Sequence, residues 1–306
     1  MKNQERIFVI GHKNPDTDSI CSAIAYADIK NRTTQNKKYI PKRAGQINEE
    51  TRYVLNRFGV QPPAYLGNIG TQVKDMDIRI SPPADKSMSL KNAWELMQKN
   101  AIVSLPIRDK DGCLEGLVTI GDIAKTYMDT TDSYLLSNAR TQYQRIAETV
   151  GGEVVEGNSH GYFIKGKVLV GTANPKMMEG YIEENDMIIM GDREEDHLQA
   201  ISQNVSCIIV GLNIVVSEKV VKLAHEKNIV IIRSPYDTFN IARLINQSIP
   251  VNYVMKRDNM VTFNTEDFTD DIQEVMVKNR HRAFPVINPH GKCIGTISRR
   301  NFLDMH

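Results

Sequence analysis

Residues 11–19 read GHKNPDTDS and place a histidine and two aspartates, His12, Asp16 and Asp18, within seven positions. An imidazole nitrogen beside carboxylate oxygens suits borderline or hard divalent ions such as manganese, cobalt or magnesium, and the absence of neighbouring thiolates argues against a structural zinc site. Asp18 and Ser19 also open the segment ICSAIAYADIKN, where Ile20, Ala23, Ile24 and Ala27 recur at helical spacing. Free N–H groups and the positive end of the helix dipole would favour a phosphate at that point. A second reading is open to the same residues: Asn-Pro-Asp makes a tight turn, Asp18 or Ser19 caps the helix, and His12 is incidental. Three ligands are too few for the two-metal clamp that phosphoanhydride hydrolysis normally uses, so further ligands would have to come from elsewhere.

A second chemical pattern occurs twice, as GLVTIGD (116–122) and GTISRRN (295–301). A hydroxyl at the end of a strand, Thr119 or Ser298, stands three residues ahead of Asp122 or Asn301 at the opening of a helix. The first can contact a phosphate and the second ribose hydroxyls. Val103 and Pro106, with Ala283 and Pro285, could sandwich a base, and Asn100, Gly116, Val118, Arg280 and Arg299 are counted in the same cleft. Positive charge is concentrated in the second copy as Arg280, Arg282, Arg299 and Arg300, where the first has Ala101, Val103, Ile120 and Gly121. That asymmetry suits one shared anionic ligand or a polyphosphate bridging two sites. Strand ends, helix caps and solvated arginines are the competing explanation.

These residues need elements to hold them. The run IFVIG (7–11) reads as a strand, then loop, then the helix above. A second strand, KKYIPKRAG, and a helix, NEETRYVLNRFGV, follow before Gln61-Pro62-Pro63 breaks the pattern, as in the opening of a parallel α/β domain. Residues 97–122 and 276–301 align without a gap at an offset of 179, with Met, Lys, Asn, Pro, Gly and Gly identical at six paired positions, Gly116 and Gly295 among them. Each copy reads as a β-α-β-β-α unit with a three-stranded sheet buried on one face. One copy alone is marginal, so the repeat predicts an intrachain pair. Between the copies, strand-like runs (KVLVG, DMIIMG, VSCIIVG, NIVIIR) alternate with helix-like ones, predicting an inserted α/β domain. Its charged loop GDREED (191–196) reads chiefly as the cap of the next helix.

Composition sets the outer bounds. The 306 residues carry 38 basic and 37 acidic side chains, so no global field points to nucleic acid or an anionic membrane. No apolar run approaches the ~20 residues needed to span a bilayer. Cys21, Cys113, Cys207 and Cys293 are far apart, which predicts reduced buried thiols in a cytoplasmic protein.

GHKNPDTDSICSAIAYADIKN, followed by RAGQINEETRYVLNRFG, resembles the N-terminus of family II, manganese- or cobalt-dependent inorganic pyrophosphatases of the DHH phosphoesterase superfamily. Relatives cleaving phosphodiesters tend to carry glycine where this chain has Thr17. The resemblance implies that His12, Asp16 and Asp18 are ligands of paired catalytic metals, with a bridging water as nucleophile hydrolysing pyrophosphate to two phosphates. The repeats resemble cystathionine-β-synthase (CBS) domains, a tandem pair of which typically binds adenosine nucleotides in the cleft between copies. The segment between them is similar to a DRTGG domain, with Thr-Gly-Gly replaced by Glu194, Glu195 and Asp196.

Expected domains are therefore a DHH-type segment at 1–65, a first CBS domain at 66–128, a DRTGG-like domain at 129–250 and a second CBS domain at 251–306. The order implies a pyrophosphatase regulated by AMP, ADP, ATP or diadenosine polyphosphates, forming a homodimer or higher homo-oligomer. The family's Asp-His-His motif is not among these residues, so the chain alone is expected to be inactive. The alternatives are a non-catalytic nucleotide-sensing module and a DHH phosphodiesterase.

Overall fold

The computed structural model describes residues 5–35, 37–66, 70–128, 132–171, 180–279 and 281–303, and the chain divides into two compact units, Met1–Thr71 and Gln72–His306.

In the first unit, strands Glu5–Val9, Lys37–Arg43 and Ala64–Tyr65 form a parallel sheet in that order. The helix Thr17–Thr33 crosses between the first two and buries Ile20, Ala23 and Ala27, the apolar stripe that its spacing predicts. Asp16 is its N-cap, accepting from the Ser19 N–H at 2.9 Å. Capping therefore falls to Asp16 rather than to Asp18 or Ser19. Asn48 caps the second helix, Glu49–Arg57, in the same way, at 2.7 Å from the Thr51 N–H.

The second unit contains both repeats and the inserted domain. In the first repeat, helix Leu90–Lys99 is followed by strands Ser104–Arg108 and Leu114–Thr119 and helix Ile120–Met128. The second repeats this as Thr269–Lys278, Phe284–Ile287, Cys293–Ile297 and Arg300–Leu303. Ser89 caps the first of these helices, which buries Leu90, Ala93 and Met97 on one face. Burying a leucine or methionine completely is worth about 1.5–3 kcal/mol, so this face fixes the helix on its sheet.

The two sheets are unequal, which corrects the expectation of three strands in each. The segment Arg79–Ile80, which enters the first repeat, pairs antiparallel with Cys293–Ile297 of the second. It makes a four-stranded sheet there with Phe263–Asn264, Phe284–Ile287 and Cys293–Ile297. In return Lys256, at the entry to the second repeat, pairs with Leu117 of the first, each N–H donating to the other's carbonyl at 3.0 Å. The entry segments are exchanged, and Val73 and Met76 are buried in the second repeat's core beside Phe284 and Ile297. The twice-occurring glycine follows from this crossing. A Cβ at Gly295 would lie 2.4 Å from the Arg79 carbonyl oxygen, and one at Gly116 would lie 2.8 Å from the Met255 sulfur and 3.0 Å from the Lys256 carbonyl oxygen.

The inserted domain is a five-stranded sheet. Val168–Val170, Met187–Met190, Cys207–Val210 and Val230–Arg233 run parallel, with Glu153–Glu156 antiparallel at one edge. Its three central strands, Met187–Met190, Cys207–Val210 and Val230–Arg233, are apolar on both faces, as a sheet covered on both sides requires. Met187, Ile189, Cys207, Ile209 and Ile232 join one core with Leu105, Ile107 and Val118 of the first repeat. Ile188, Ile208, Val210 and Ile231 lie under the helices Glu194–Ser202 and Glu218–Glu226.

Two further expectations are corrected. The N-cap at GDREED is Arg193 and has no side-chain capping bond; Glu194, Glu195 and Asp196 fill the helix's first turn, where the dipole favours acids. All four cysteines are free, but only Cys207 and Cys293 are buried, with Cys21 and Cys113 half-buried.

Candidate functional site

The GHKNPDTDS loop is held by close backbone packing. A Cβ at Gly11 would meet the Ser19 hydroxyl oxygen at 2.0 Å, and one at Gly45 would lie 2.5 Å from the Lys13 carbonyl oxygen and 2.6 Å from Pro15 Cδ. Pro15 is buried, and the Thr17 and Thr51 hydroxyls share a hydrogen bond of 3.0 Å. This clamp brings His12 Nε2 to 3.4 Å from Asp16 Oδ1. The Ser19 N–H, aided by the His12 imidazole, holds the Asp16 carboxyl below the usual carboxylate range. Asp18 is on the first helical turn, exposed, and accepts from the Ser22 hydroxyl at 3.3 Å. His12 and Asp16 are therefore neighbouring donors while Asp18 stands apart, and among the described residues no three His, Cys, Asp or Glu side chains are grouped to hold a metal ion. An imidazole paired with a carboxylate retains the donor chemistry of a manganese or cobalt site.

The second site is in the repeats. A cavity of about 740 Å³ is lined by Asp77 and Arg79 of the exchanged segment, by residues 102–104 of the first repeat, and by residues 281–283 and 296–301 of the second. Of the residues expected from sequence, Val103, Ala283, Ser298, Arg299 and Asn301 meet there. The Ser298 N–H and hydroxyl both donate to Asn301 Oδ1, at 2.6 and 2.8 Å, and Asn301 Nδ2 donates to the Asp77 carbonyl at 2.8 Å. In the first repeat the Thr119 N–H and hydroxyl donate to Asp122 Oδ2 at 2.9 and 2.6 Å, and Lys256 Nζ is 3.2 Å from Asp122 Oδ1. Asp77 and Lys256 occupy the same repeat position, so each exchanged segment meets the other copy's capping residue.

Other expected residues fall elsewhere. Val118 is fully buried with Leu105 and Ile107 in the core, because strand alternation turns it away from solvent. Gly116 is under the Met255–Lys256 backbone. Pro106 and Pro285 are mid-strand, paired with Leu117 and Thr296, and do not line the cavity. The Asn100 amide donates to the Leu96 carbonyl at 2.8 Å as a helix C-cap. Thr119 and Asp122 bond to each other, outside this cavity. Arg280 lies outside the described residues. Arg299 lines the cavity, but its guanidinium also donates to the Met276 carbonyl, at 2.7 Å from Nη2 and 3.0 Å from Nε, and to the Asn279 carbonyl, closing the end of helix Thr269–Lys278.

The cavity's Asp77, Arg79, His281 and Thr296 were not anticipated from the sequence. Asp77 and Arg79 lie in the entry segment ahead of the aligned repeat, and only its exchange brings them to the second copy. Arg282 and Arg300, noted for charge alone, complete a wall of four arginines with Arg79 and Arg299.

Two copies of one β-α-β-β-α unit that exchange their entry strands around an inserted parallel α/β domain define a tandem CBS pair interrupted by a DRTGG domain. Family models agree: the CBS domain matches residues 73–129 and 251–305, and the DRTGG domain residues 145–248. The chain is 37% identical over 300 residues to the cobalt-dependent inorganic pyrophosphatase of Clostridium perfringens, covering 98% of this chain and 54% of that protein. It is 32% identical over 303 residues to a probable manganese-dependent inorganic pyrophosphatase of Thermotoga maritima, covering 99% and 55%. The chain thus spans about half the length of the curated relatives it matches. A crystal structure of the CBS and DRTGG domains of the regulatory region of C. perfringens pyrophosphatase, complexed with the activator diadenosine tetraphosphate, superposes with a TM-score of 0.71 at 34% identity, covering 75% of this chain and all of that one. The chain belongs to the family of CBS- and DRTGG-domain-containing, manganese- or cobalt-dependent inorganic pyrophosphatases, and unit Gln72–His306 corresponds to their regulatory region.

Proposed function

We propose that this chain supplies the first metal-binding segment and the adenine-nucleotide-regulated region of an inorganic pyrophosphatase, which hydrolyses pyrophosphate to two phosphates. The observation that carries the regulatory part is the four-arginine cavity around Ser298 and Asn301. Its hydroxyl and amide suit a nucleotide's phosphate and ribose, and its guanidinium groups suit a polyphosphate. AMP, ADP, ATP and diadenosine polyphosphates are the ligand class. His12 and Asp16, with Asp18 on the first turn of the following helix, would hold manganese or cobalt, which when bound supplies Lewis-acid chemistry at a phosphoryl group. The Asp16 carboxylate, kept ionised by the Ser19 N–H, is ready to donate electron density.

Because the described residues gather only two donors closely, nucleotide binding is the activity assigned to these 306 residues, and hydrolysis to the whole protein. The division into segments at 1–65, 66–128, 129–250 and 251–306, a homodimeric assembly and a cytoplasmic location belong to the same proposal. Among the described residues no helix is long and apolar enough to cross a membrane.

Calorimetric titration of the chain with AMP and with diadenosine tetraphosphate tests the reading. Asn301→Ala combined with Ser298→Ala should weaken binding at least tenfold, and Asp122→Ala should do so less, because Asp122 is outside the cavity. Unchanged affinity in the double variant would overturn the site.

A further inference from the structure

Ser19 reaches both sides of the His12–Asp16 pair. Its N–H donates to Asp16 Oδ1 at 2.9 Å, the same oxygen that His12 Nε2 approaches at 3.4 Å. Its hydroxyl lies against Gly11, the residue before His12, in the space that a side chain there would fill, since a Cβ on Gly11 would stand 2.0 Å from Ser19 Oγ. A single residue thus spans the chain leaving the first strand, which presents His12, and the start of helix Thr17–Thr33, where Asp16 is the cap.

The hydroxyl itself makes no bond that holds the fold. Ser19 is 8% exposed, and among the described residues its Oγ is buried with no hydrogen-bond partner. Hydroxyls beside it on the same helix are paired: Thr17 shares a bond of 3.0 Å with Thr51, and Ser22 donates to Asp18 at 3.3 Å. A buried hydroxyl without a partner gives up its bonds to water and gains none in return, so an alanine at this position should fold at least as well. A polar atom kept at such a place, against a glycine that must lack a side chain to admit it, serves the geometry of the loop rather than its stability.

We propose that Ser19 is a positioning residue of the divalent-ion site, its N–H and its hydroxyl together setting the gap between the His12 imidazole and the Asp16 carboxylate. It acts through those two donors and not on the ion, and the inference rests on the reading of His12 and Asp16 as ligands of manganese or cobalt. Contacts that fix the orientation of a metal ligand change metal affinity by roughly 10–100-fold when they are lost. Because the bond to Asp16 comes from the backbone, Ser19→Ala keeps it and removes only the contact with Gly11.

The test is a cobalt titration of the 306-residue chain and of its Ser19→Ala variant, followed by the visible absorption of the ion, with amide hydrogen exchange of helix Thr17–Thr33 measured on the same samples. Ser19→Ala should bind cobalt about tenfold more weakly and with an altered absorption band, while the helix amides stay at least as protected as in the unmodified chain. An unchanged affinity or an unchanged band would overturn the proposal. So would lower protection of the helix, since the hydroxyl would then be serving the fold. The metal reading fails by a different result, and takes the role of Ser19 with it, if the unmodified chain shows no saturable cobalt binding or if His12→Ala binds cobalt equally well.

Discussion

Gly295→Ala is the perturbation that most directly addresses the exchanged strand. The added methyl would sit 2.4 Å from the Arg79 carbonyl oxygen and 3.0 Å from its carbon, and because both are backbone atoms no rotamer change relieves the clash. The strand must move, losing the pairings of Gly295 with Ile80 and of Thr296 with Arg79. Overpacking a closed site costs about 1–3 kcal/mol, and each lost backbone hydrogen bond about 0.5–1.5 kcal/mol. With two pairings lost, a total of about 2–6 kcal/mol lowers the melting temperature of a unit this large by roughly 4–24 °C. Gly116→Ala meets mainly the Met255 sulfur, the end of a flexible side chain, with the Lys256 carbonyl oxygen at 3.0 Å, so its cost should stay under about 1.5 kcal/mol. Thermal melts of both variants, followed by AMP titration, make the comparison. Gly295→Ala should be the less stable and should also lose nucleotide affinity, because Asp77 and Arg79 line the cleft. If Gly116→Ala proves equally or more damaging, the account of the repeated glycine is wrong.

Other consequences are as specific. Arg299→Ala removes the guanidinium that closes helix Thr269–Lys278, and urea titration should show a loss of about 1–2 kcal/mol together with weaker AMP binding. Burial pushes the Cys207 thiol up; its neutral form therefore stabilises the fold fully below about pH 8.5, and stability falls as pH rises above that value. Denaturation midpoints at pH 7 and pH 10 should differ, and by less in Cys207→Ala. Asp16 titrates in the opposite sense. Its depressed pKa gives stability that is present above the ordinary carboxylate range and lost as pH falls through the folded value, so acid unfolding of Asp16→Asn, followed by circular dichroism, should show a shallower dependence on pH below the ordinary carboxylate range. Met97→Ala, in a fully buried position, should cost about 2–5 kcal/mol by chemical denaturation.

What the sequence discloses is whatever is local. The stripe of Ile20, Ala23 and Ala27, the four parallel strands of the inserted domain and the succession of elements in each repeat occur where hydrophobic period and turn residues place them, whereas the antiparallel edge strand Glu153–Glu156 was not read from the sequence. The Thr119–Asp122 and Ser298–Asn301 pairs are legible too, as three-residue capping spacings. The sequence could not disclose which strand pairs with which copy, because Arg79 and Ile80 carry no mark of a partner more than two hundred residues away. Everything that depends on the exchange was hidden with it: the packing reason for Gly116, the unequal sheets, and the contribution of Asp77 and Arg79 to the cleft. Val118 was misplaced for a simpler reason, since alternation along Leu114–Thr119 assigns it to the core face.

The exchange also constrains the order in which the molecule can be made. As the chain emerges from the ribosome, the first repeat has its helices and hairpin long before Lys256 is available to cover Leu117, and Arg79 must wait for Cys293–Ile297, near the last residues described. Meanwhile the inserted domain can form, and the backbone bonds from Leu90 to Ile249 and from Val251 to Met88 then bring the returning chain to the first repeat. The inserted domain thus acts as an assembly jig, shortening the search that non-local pairing otherwise slows.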